Sequence, residues 1–487
     1  MMETYLMLIN GQWLDSESGT YIEVVNPATE EKFARVPEAT KAEVDRALES
    51  AQRAFPHWSG LSPEQRAVYL WRASHILAER KDRIGRLMTS EQGKPLKEAV
   101  GEIEKAVEML QYFAEESKRA YGAIVANSDP KDQSYVVKQA VGVVAALSPW
   151  NYPVELTGWK AAAGLAAGCT IVAKPPSLTP LSPLEYWRCL CDAGIPKGVI
   201  NCVTGSGATV GRHLVRSPVS QKIAFTGSLE AGLDVQKQSA GTVRRISLEL
   251  GGQCPMIISK NCDLAAAVKG AVRRSFRNMG QICIAINRIY VHKAIHDEFL
   301  KLFAADTEKL TIANGIEKPD ADLGPMASLE GLEKTRRHIE DAVSKGARLV
   351  SGGKKPDGPQ FSRGYFFRPT ILADVNHTML VMTEETFGPV VGVMPFNSVD
   401  EAVRLANSTP YGLAAYLYTN DLHEMQKISR ELETGSVAVN NVDAGIMNVA
   451  YGGWKQSGIG HEHGHEGLEE YLALKHIRVR FREPAEQ

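Results

Sequence analysis

The 487-residue chain has no long apolar run. Its longest uncharged, mostly apolar stretch lies between Lys160 and Lys174, too short to cross a bilayer, and its Ala/Gly content suits close packing. Neither sign of charge is in excess: 55 Lys+Arg face 57 Asp+Glu, a net charge of −2, which offers nucleic acid no basic surface and leaves no acidic tail. The start, Met-Met-Glu-Thr-Tyr, lacks the basic segment and apolar core of a signal peptide, so the expectation is a cytoplasmic protein with no membrane and no nucleic-acid partner. Cysteines are few. Seven, an odd number and widely scattered, argue for reduced thiols rather than a disulfide framework. Cys189-x-Cys191 has the wrong spacing for zinc and no second pair to complete it. No internal repeat or low-complexity stretch stands out. The remaining composition, 44% hydrophobic and 23% charged, is that of an ordinary globular protein.

What is present is a regular change of pattern. Residues 5–36 read as short strands broken by turns at Asn10-Gly11 and Asn26-Pro27. Residues 40–55 and 62–121 carry helical periodicity, the second opened by Ser62-Pro63-Glu64, a cap followed by proline. From 141 the chain alternates: strand 141–147, helix 154–167, strand 170–173, helix 180–193, strand 199–203, helix 207–216, strand 222–225 and a helix from 228. Such alternation predicts an α/β fold with a parallel sheet covered on both faces, whose ligand sits at the carboxyl ends of the strands. Asn151, Lys174, Gly205 and Gly227 all fall at or just after such ends. After Gly252 a second α/β pattern follows, with helices at 263–279, 294–310, 329–345, 399–407 and 421–432. Its strands are placed at 287–292, 347–351, 389–396, 413–418 and 435–440. The final stretch, 471–481, alternates basic and apolar residues and reads as a strand.

Three segments carry candidate chemistry. Gly280-Gln281-Ile282-Cys283 places one thiol after a Gly-Gln pair; Leu248-Glu249-Leu250-Gly251-Gly252 sets a carboxylate in an apolar run; Pro149-Trp150-Asn151-Tyr152-Pro153 holds an amide between prolines. A thiol, a carboxylate and a fixed amide donor are the parts needed for covalent chemistry on a carbonyl. The plainer alternatives are a buried thiol, a strand-end carboxylate and a turn asparagine. Gly205-Ser206-Gly207-Ala208-Thr209-Val210-Gly211 misses the dinucleotide fingerprint because its third glycine comes one residue late, so a simple turn and a phosphate loop both stay open. His461-Glu462-His463-Gly464-His465-Glu466 could suggest a metal tract but reads better as a polar connection, and no metal is expected.

Taken in order, these segments, with Lys174-Pro175, Phe225-Thr226-Gly227-Ser228 and Glu384-Glu385-Thr386-Phe387-Gly388-Pro389, resemble the aldehyde dehydrogenase superfamily over nearly the whole chain. The resemblance extends through Glu91-Gln92-Gly93-Lys94-Pro95, to which no chemistry is assigned. It implies a modified Rossmann-type cofactor domain from 1–121 and 141–249, a second α/β catalytic domain from 250–447, and a small β oligomerisation arm from 122–140 and 468–487, in a homodimer or homotetramer. It implies Cys283 as nucleophile, Asn151 and the Cys283 N–H as oxyanion donors, and Glu249 as base. Glu249 also favours release of a free acid over transfer to coenzyme A, and Lys160 with Glu462 would lead its proton out, unless they are only an ion pair. The cofactor, NAD or NADP, would lie against Pro149, Trp150, Lys174, Ser177, Gly207, Gly211, Phe225, Thr226, Gly227, Ser228, Leu250, Gly251, Glu385 and Phe387. Ser177 stands where many NAD-specific relatives carry glutamate, and a small neutral residue there tolerates a 2′-phosphate.

The resemblance implies a small aldehyde as substrate, met by Tyr152, Trp159, Arg277 and Ile282. Arg277 matches an arginine of succinate-semialdehyde dehydrogenases, and Arg273, Arg274 and Arg277 would form an electropositive helix face. A second arginine of that subfamily is replaced by Trp159. The segment from Trp150 to Lys160 is instead similar to betaine-aldehyde and aminoaldehyde dehydrogenases, and the stretch from Ser457 to Leu472 is similar to lactaldehyde dehydrogenases. The expected substrate carries an anionic or hydroxyl group, such as succinate semialdehyde or lactaldehyde, with betaine aldehyde the alternative.

Overall fold

The computed structural model describes residues 2–481. Five parallel strands, Val143–Leu147, Thr170–Lys174, Ile200–Cys202, Ser220–Thr226 and Arg245–Glu249, form the centre of an eight-stranded sheet. Val143–Leu147 lies between Thr170–Lys174 and Ser220–Thr226, so the chain winds outward on one side and then returns to build the other. That reversal opens a crevice beyond the carboxyl ends of the strands. The N-terminal hairpin, Met7–Ile9 and Gln12–Leu14, adds one edge. Its turn residues Asn10 and Gly11 have φ of 52° and 73°, the conformation an Asn-Gly hairpin supplies. Gly458–Ile459 closes the opposite edge by pairing with Arg245–Glu249.

A second, seven-stranded sheet contains Cys254–Ile258, Ile286–His292 and Val390–Phe396 near its centre, parallel to one another. The short link from Leu250 to Gln253 runs from the end of Glu249's strand into this sheet. Residues 281–285 and 384–389 precede its strands, so they gather at its amino ends, against the carboxyl ends of the first sheet. A three-stranded antiparallel sheet projects separately: Ala123–Val125, Asp132–Ala140 and Leu472–Arg480, the last two in register from Leu472 against Ala140 to Arg480 against Asp132. The final strand therefore pairs within its own chain. Residues 482–487 of the expected arm lie outside the described residues. Among the described residues no helix is long and apolar enough to cross a membrane.

Several expected elements differ. The 62–121 stretch is three helices, Pro63–Glu79, Lys81–Gln92 and Leu96–Glu116. Gly93 ends the second with φ 96°, and a Cβ there would lie 2.8 Å from Pro325 Cγ and 2.9 Å from Pro27 Cγ, so the break needs glycine. The 263–279 helix stops at Phe276, and Asn278 and Met279 turn left-handed with φ of 48° and 57°. The 207–216 helix begins as a wider π-type turn, Gly207–Gly211. Strands Cys254–Ile258 and Thr370–Ala373 were not expected.

Candidate active site

The crevice between the two large sheets is a cleft of about 850 Å³. It is lined by every residue expected to meet the cofactor: Pro149, Trp150, Lys174, Ser177, Gly207, Gly211, Phe225, Thr226, Gly227, Ser228, Leu250, Gly251, Glu385 and Phe387, together with Asn151 and Cys283. Ser228 caps helix Leu229–Ser239 through the Ala231 N–H, so that helix points its positive end into the cleft. The glycines keep the floor open. A Cβ on Gly251 would lie 2.3 Å from Glu385 Oε2, and one on Gly211 would lie 3.3 Å from Leu147 Cδ2. Lys174 and Ser177 converge on one carbonyl: Lys174 Nζ donates to Pro175 O at 2.7 Å and Gly205 O at 3.4 Å, and Ser177 Oγ donates to Gly205 O at 3.0 Å. Burial lowers the Lys174 ammonium to about 8. Glu385 accepts the Gly252 N–H at 3.0 Å, and burial raises its carboxyl to about 7. The Phe387 ring meets Trp150 edge-on at 5.4 Å. Phosphate-facing helix terminus, open glycine floor and ribose-ready polar groups fit a dinucleotide.

At the inner end, Cys283 follows the left-handed run Asn278-Met279-Gly280. The Asn151 side-chain NH₂ donates to Gln281 O at 3.0 Å. A carbonyl accepts only from the nitrogen, so this bond fixes the amide's orientation and leaves its second N–H to point elsewhere. The Cys283 N–H makes no hydrogen bond among the described residues. Burial pushes the Cys283 thiol up to about 12; the Tyr451 hydroxyl 3.6 Å from Sγ acts against this, and the charges of Glu385 and Glu249 add to it. Glu249 sits behind this point, outside the lining of the cofactor cleft. Among the described residues both its carboxylate oxygens are buried without a hydrogen-bond partner, and burial, then the nearby Glu462, hold its carboxyl well above the usual range, with Lys160 opposing. Lys160 and Glu462 are buried and paired at 3.2 Å, and Lys160 also donates to Thr226 Oγ1 at 2.6 Å. The pair is thus interior, not superficial.

The family model for the aldehyde dehydrogenase family matches residues 13–477. The chain is 42% identical to a glutarate-semialdehyde dehydrogenase of Pseudomonas putida, covering 97% of both chains. It is 41% identical to an NADP-linked succinate-semialdehyde dehydrogenase of Escherichia coli, again covering 97% of both. A crystal structure described as an E. coli NADP dependent enzyme superposes with a TM-score of 0.96 at 40% identity, covering 98% of each chain. This chain belongs to the aldehyde dehydrogenase family. By that membership it is an oxidoreductase of the non-acylating, NAD(P)-dependent aldehyde dehydrogenase type.

On the aldehyde side of this dehydrogenase, the expected groups separate. Trp159 meets Tyr451 edge-on at 5.3 Å and His463 at 4.2 Å, a buried aromatic group beside the thiol. Ile282 is buried in the main core. The electropositive helix face is not formed. Arg273 and Arg274 are both held by Asp443 at 2.8–2.9 Å, and Arg277 lies beyond the helix end. Arg277 Nε donates to Glu98 Oε1 at 2.8 Å, the same oxygen that accepts the Tyr152 hydroxyl at 2.8 Å. Its terminal nitrogens make no hydrogen bond among the described residues, and the side chain is 37% exposed. The histidine tract disperses: Glu462 turns to Lys160, His463 to Trp159, and His465 to Glu116 and Glu469. Among the described residues no cluster of three or more His, Cys, Asp or Glu side chains could hold a metal ion.

Sequence reading missed Tyr451, Glu98, and the cleft cations Arg212, Lys334 and Arg337. An aromatic directly before Gly452-Gly453 was a usable signal for Tyr451. Arg212 directly follows Gly211 in the glycine loop; Glu98, Lys334 and Arg337 come from segments with no motif of their own.

Proposed function

We propose that this enzyme oxidises a small anionic or hydroxylated aldehyde, such as a dicarboxylic semialdehyde or lactaldehyde, to the free carboxylic acid. The Cys283 thiolate adds to the aldehyde carbon, and the oxyanion accepts from Asn151 Nδ2 and the Cys283 N–H. A nicotinamide held in the cleft would supply the hydride acceptor for oxidation of the Cys283 adduct to a thioester. Glu249 takes a proton from water to hydrolyse that thioester, and the Lys160–Glu462 pair relays the proton outward. Lys174 and Ser177 would hold the adenosine ribose, Ser228 the pyrophosphate, and Glu385 and Phe387 the nicotinamide end. The neutral Ser177 makes NADP acceptable beside NAD. The chain works in the cytoplasm, as its seven free thiols suit, and as a homodimer or homotetramer joined through the arm.

The substrate class rests on one observation. The Tyr152 ring already faces two of the chain's own cations, Lys94 Nζ at 3.7 Å and the Arg277 guanidinium at 6.0 Å. A quaternary ammonium would compete with both, whereas the free prongs of Arg277 suit a carboxylate. The names of the relatives above support the same class. The test is reduction of NAD and NADP with succinate semialdehyde, glutarate semialdehyde, lactaldehyde and betaine aldehyde, with coenzyme A in one arm only. Best turnover on a semialdehyde without coenzyme A, with KM raised at least tenfold by Arg277→Ala, is the expected result. Preference for betaine aldehyde would overturn the substrate reading and hand recognition to the Trp159–Tyr451 rings.

A further inference from the structure

The segment Glu91-Gln92-Gly93-Lys94-Pro95 has no part in the chemistry above, yet Lys94 reaches Asn151 directly and Gln92 reaches it through Asn278. Lys94 is buried, and its ammonium donates to Asn151 O at 2.8 Å and to Glu102 Oε2 at 2.5 Å. Glu102, equally buried, uses its other oxygen to accept the Val154 and Glu155 N–H groups at 2.9 and 3.1 Å. Helix Pro153–Ala167 has no capping side chain of its own, so Glu102 serves as its N-terminal acceptor from a different helix. Gln92 Nε2 donates to Asn278 Oδ1 at 3.1 Å. Asn278 Nδ2 in turn reaches Asn151 O at 3.2 Å and Gln281 O at 3.4 Å. Gln281 O is the same carbonyl that orients the Asn151 amide. Asn151 is thus gripped at its carbonyl by Lys94 and Asn278, and at its amide by the segment leading to Cys283.

We infer that Lys94 is a positioning residue of the oxyanion hole: with Glu102 and the Gln92–Asn278 link, it aims the Asn151 amide at the reacting carbon. This deepens the proposed function and rests on its assignment of Asn151. A buried lysine–glutamate pair is a costly way to tie the loop at Lys94 to helix Leu96–Glu116, and an apolar pair would hold them as well. Here the ammonium spends one of its three donors on the backbone of the residue whose side chain must be placed. The carbonyl has two acceptor sites, and one cation and one amide converge on it, so both hold the peptide plane before Tyr152.

The test is a double-mutant comparison on the full-length enzyme, reading the pre-steady-state rate of NAD(P)H formation and the isotope effect with a deuterated aldehyde. Asn151→Ala sets the scale, an expected loss of about 100–1000-fold. Lys94→Met is expected to slow the same step by up to about 100-fold, the range a small misplacement causes, with KM for NAD(P) unchanged. Gln92→Leu, which leaves the buried ion pair intact, is expected to slow it less and carries the comparison if Lys94→Met does not fold. In the Asn151→Ala background neither substitution lowers the rate further. Equal losses in both backgrounds, or no loss with Asn151 present, would overturn the inference, because Lys94 and Gln92 would then act on the fold or on another group. An unaltered rate in Asn151→Ala alone would instead sink the oxyanion reading on which it stands.

Discussion

The central residues share an electrostatic difficulty. Glu249 is buried and Cys283 partly so, and both are driven toward their neutral forms, the thiol to about 12 and the carboxyl well above its usual range. A raised carboxyl is protonated at low pH and becomes a base only as pH rises, and a raised thiol behaves likewise. Turnover should therefore climb with pH across the neutral range rather than plateau above pH 5. Alkylation of Cys283 by iodoacetamide in the free enzyme should rise about tenfold per pH unit, following the thiolate fraction. Glu249→Gln should form about one NAD(P)H per site in a burst and then stall, with steady-state kcat down by about 100–10,000-fold. A full-size kcat in that variant would remove Glu249 from the mechanism. Lys174 gives a second pH effect of opposite sense. Its ammonium is lowered to about 8, so it loses charge as pH passes that value. KM for NADP should rise above pH 8 while KM for NAD changes less, because only the 2′-phosphate depends on that charge. Parallel pH profiles for the two cofactors would show that Lys174 does not meet the phosphate.

At the scale of elements, legibility followed how local the cause was. The strands and helices of 141–239 announce themselves by periodicity, and their carboxyl ends place Asn151, Lys174 and Gly227 at the cleft. Ser62-Pro63 marks a helix start by capping chemistry that needs no partner. Strand Cys254–Ile258 was hidden because Pro255 argues against a central strand; the ladder accommodates it with a register shift between Cys254 and Pro255. The 263–279 helix was read too long because no glycine or proline lies between Gly270 and Gly280 to mark its end. What stops it is tertiary: Asn278 is held left-handed while its side chain bonds Gln92, 186 residues away in sequence. The same distinction divides the site. The thiol, amide and carboxylate were legible as residue types in motifs. Glu98 beneath Arg277, Asp443 across Arg273 and Arg274, and Lys94 behind Asn151 were not, because each is a contact between segments whose spacing carries no pattern.

At the scale of the whole molecule, the arm is the feature a single chain leaves unfinished. Strand Ala123–Val125 is exposed along its full length and pairs on one side only, with Asp132–Ala140. An open edge of this kind invites a further strand. Its apolar side chains are uncovered as well: Ile124 is 69% exposed and Leu474 on the partnering tail is 67% exposed. These side chains do not line the cleft, and in the proposed oligomer they would be buried by a second copy. Charge at these positions should therefore act on assembly and not on chemistry. Ile124→Lys combined with Leu474→Lys should shift the enzyme to a smaller species in light scattering, while the monomeric fold and the reactivity of Cys283 persist at first. If the arm also braces the strand Asp132–Ala140, which leads directly toward Val143–Leu147 and the cleft, the dissociated form should lose activity on warming sooner than the parent. An unchanged mass in the double variant would place the subunit contact elsewhere on the surface and leave the arm as an intramolecular sheet.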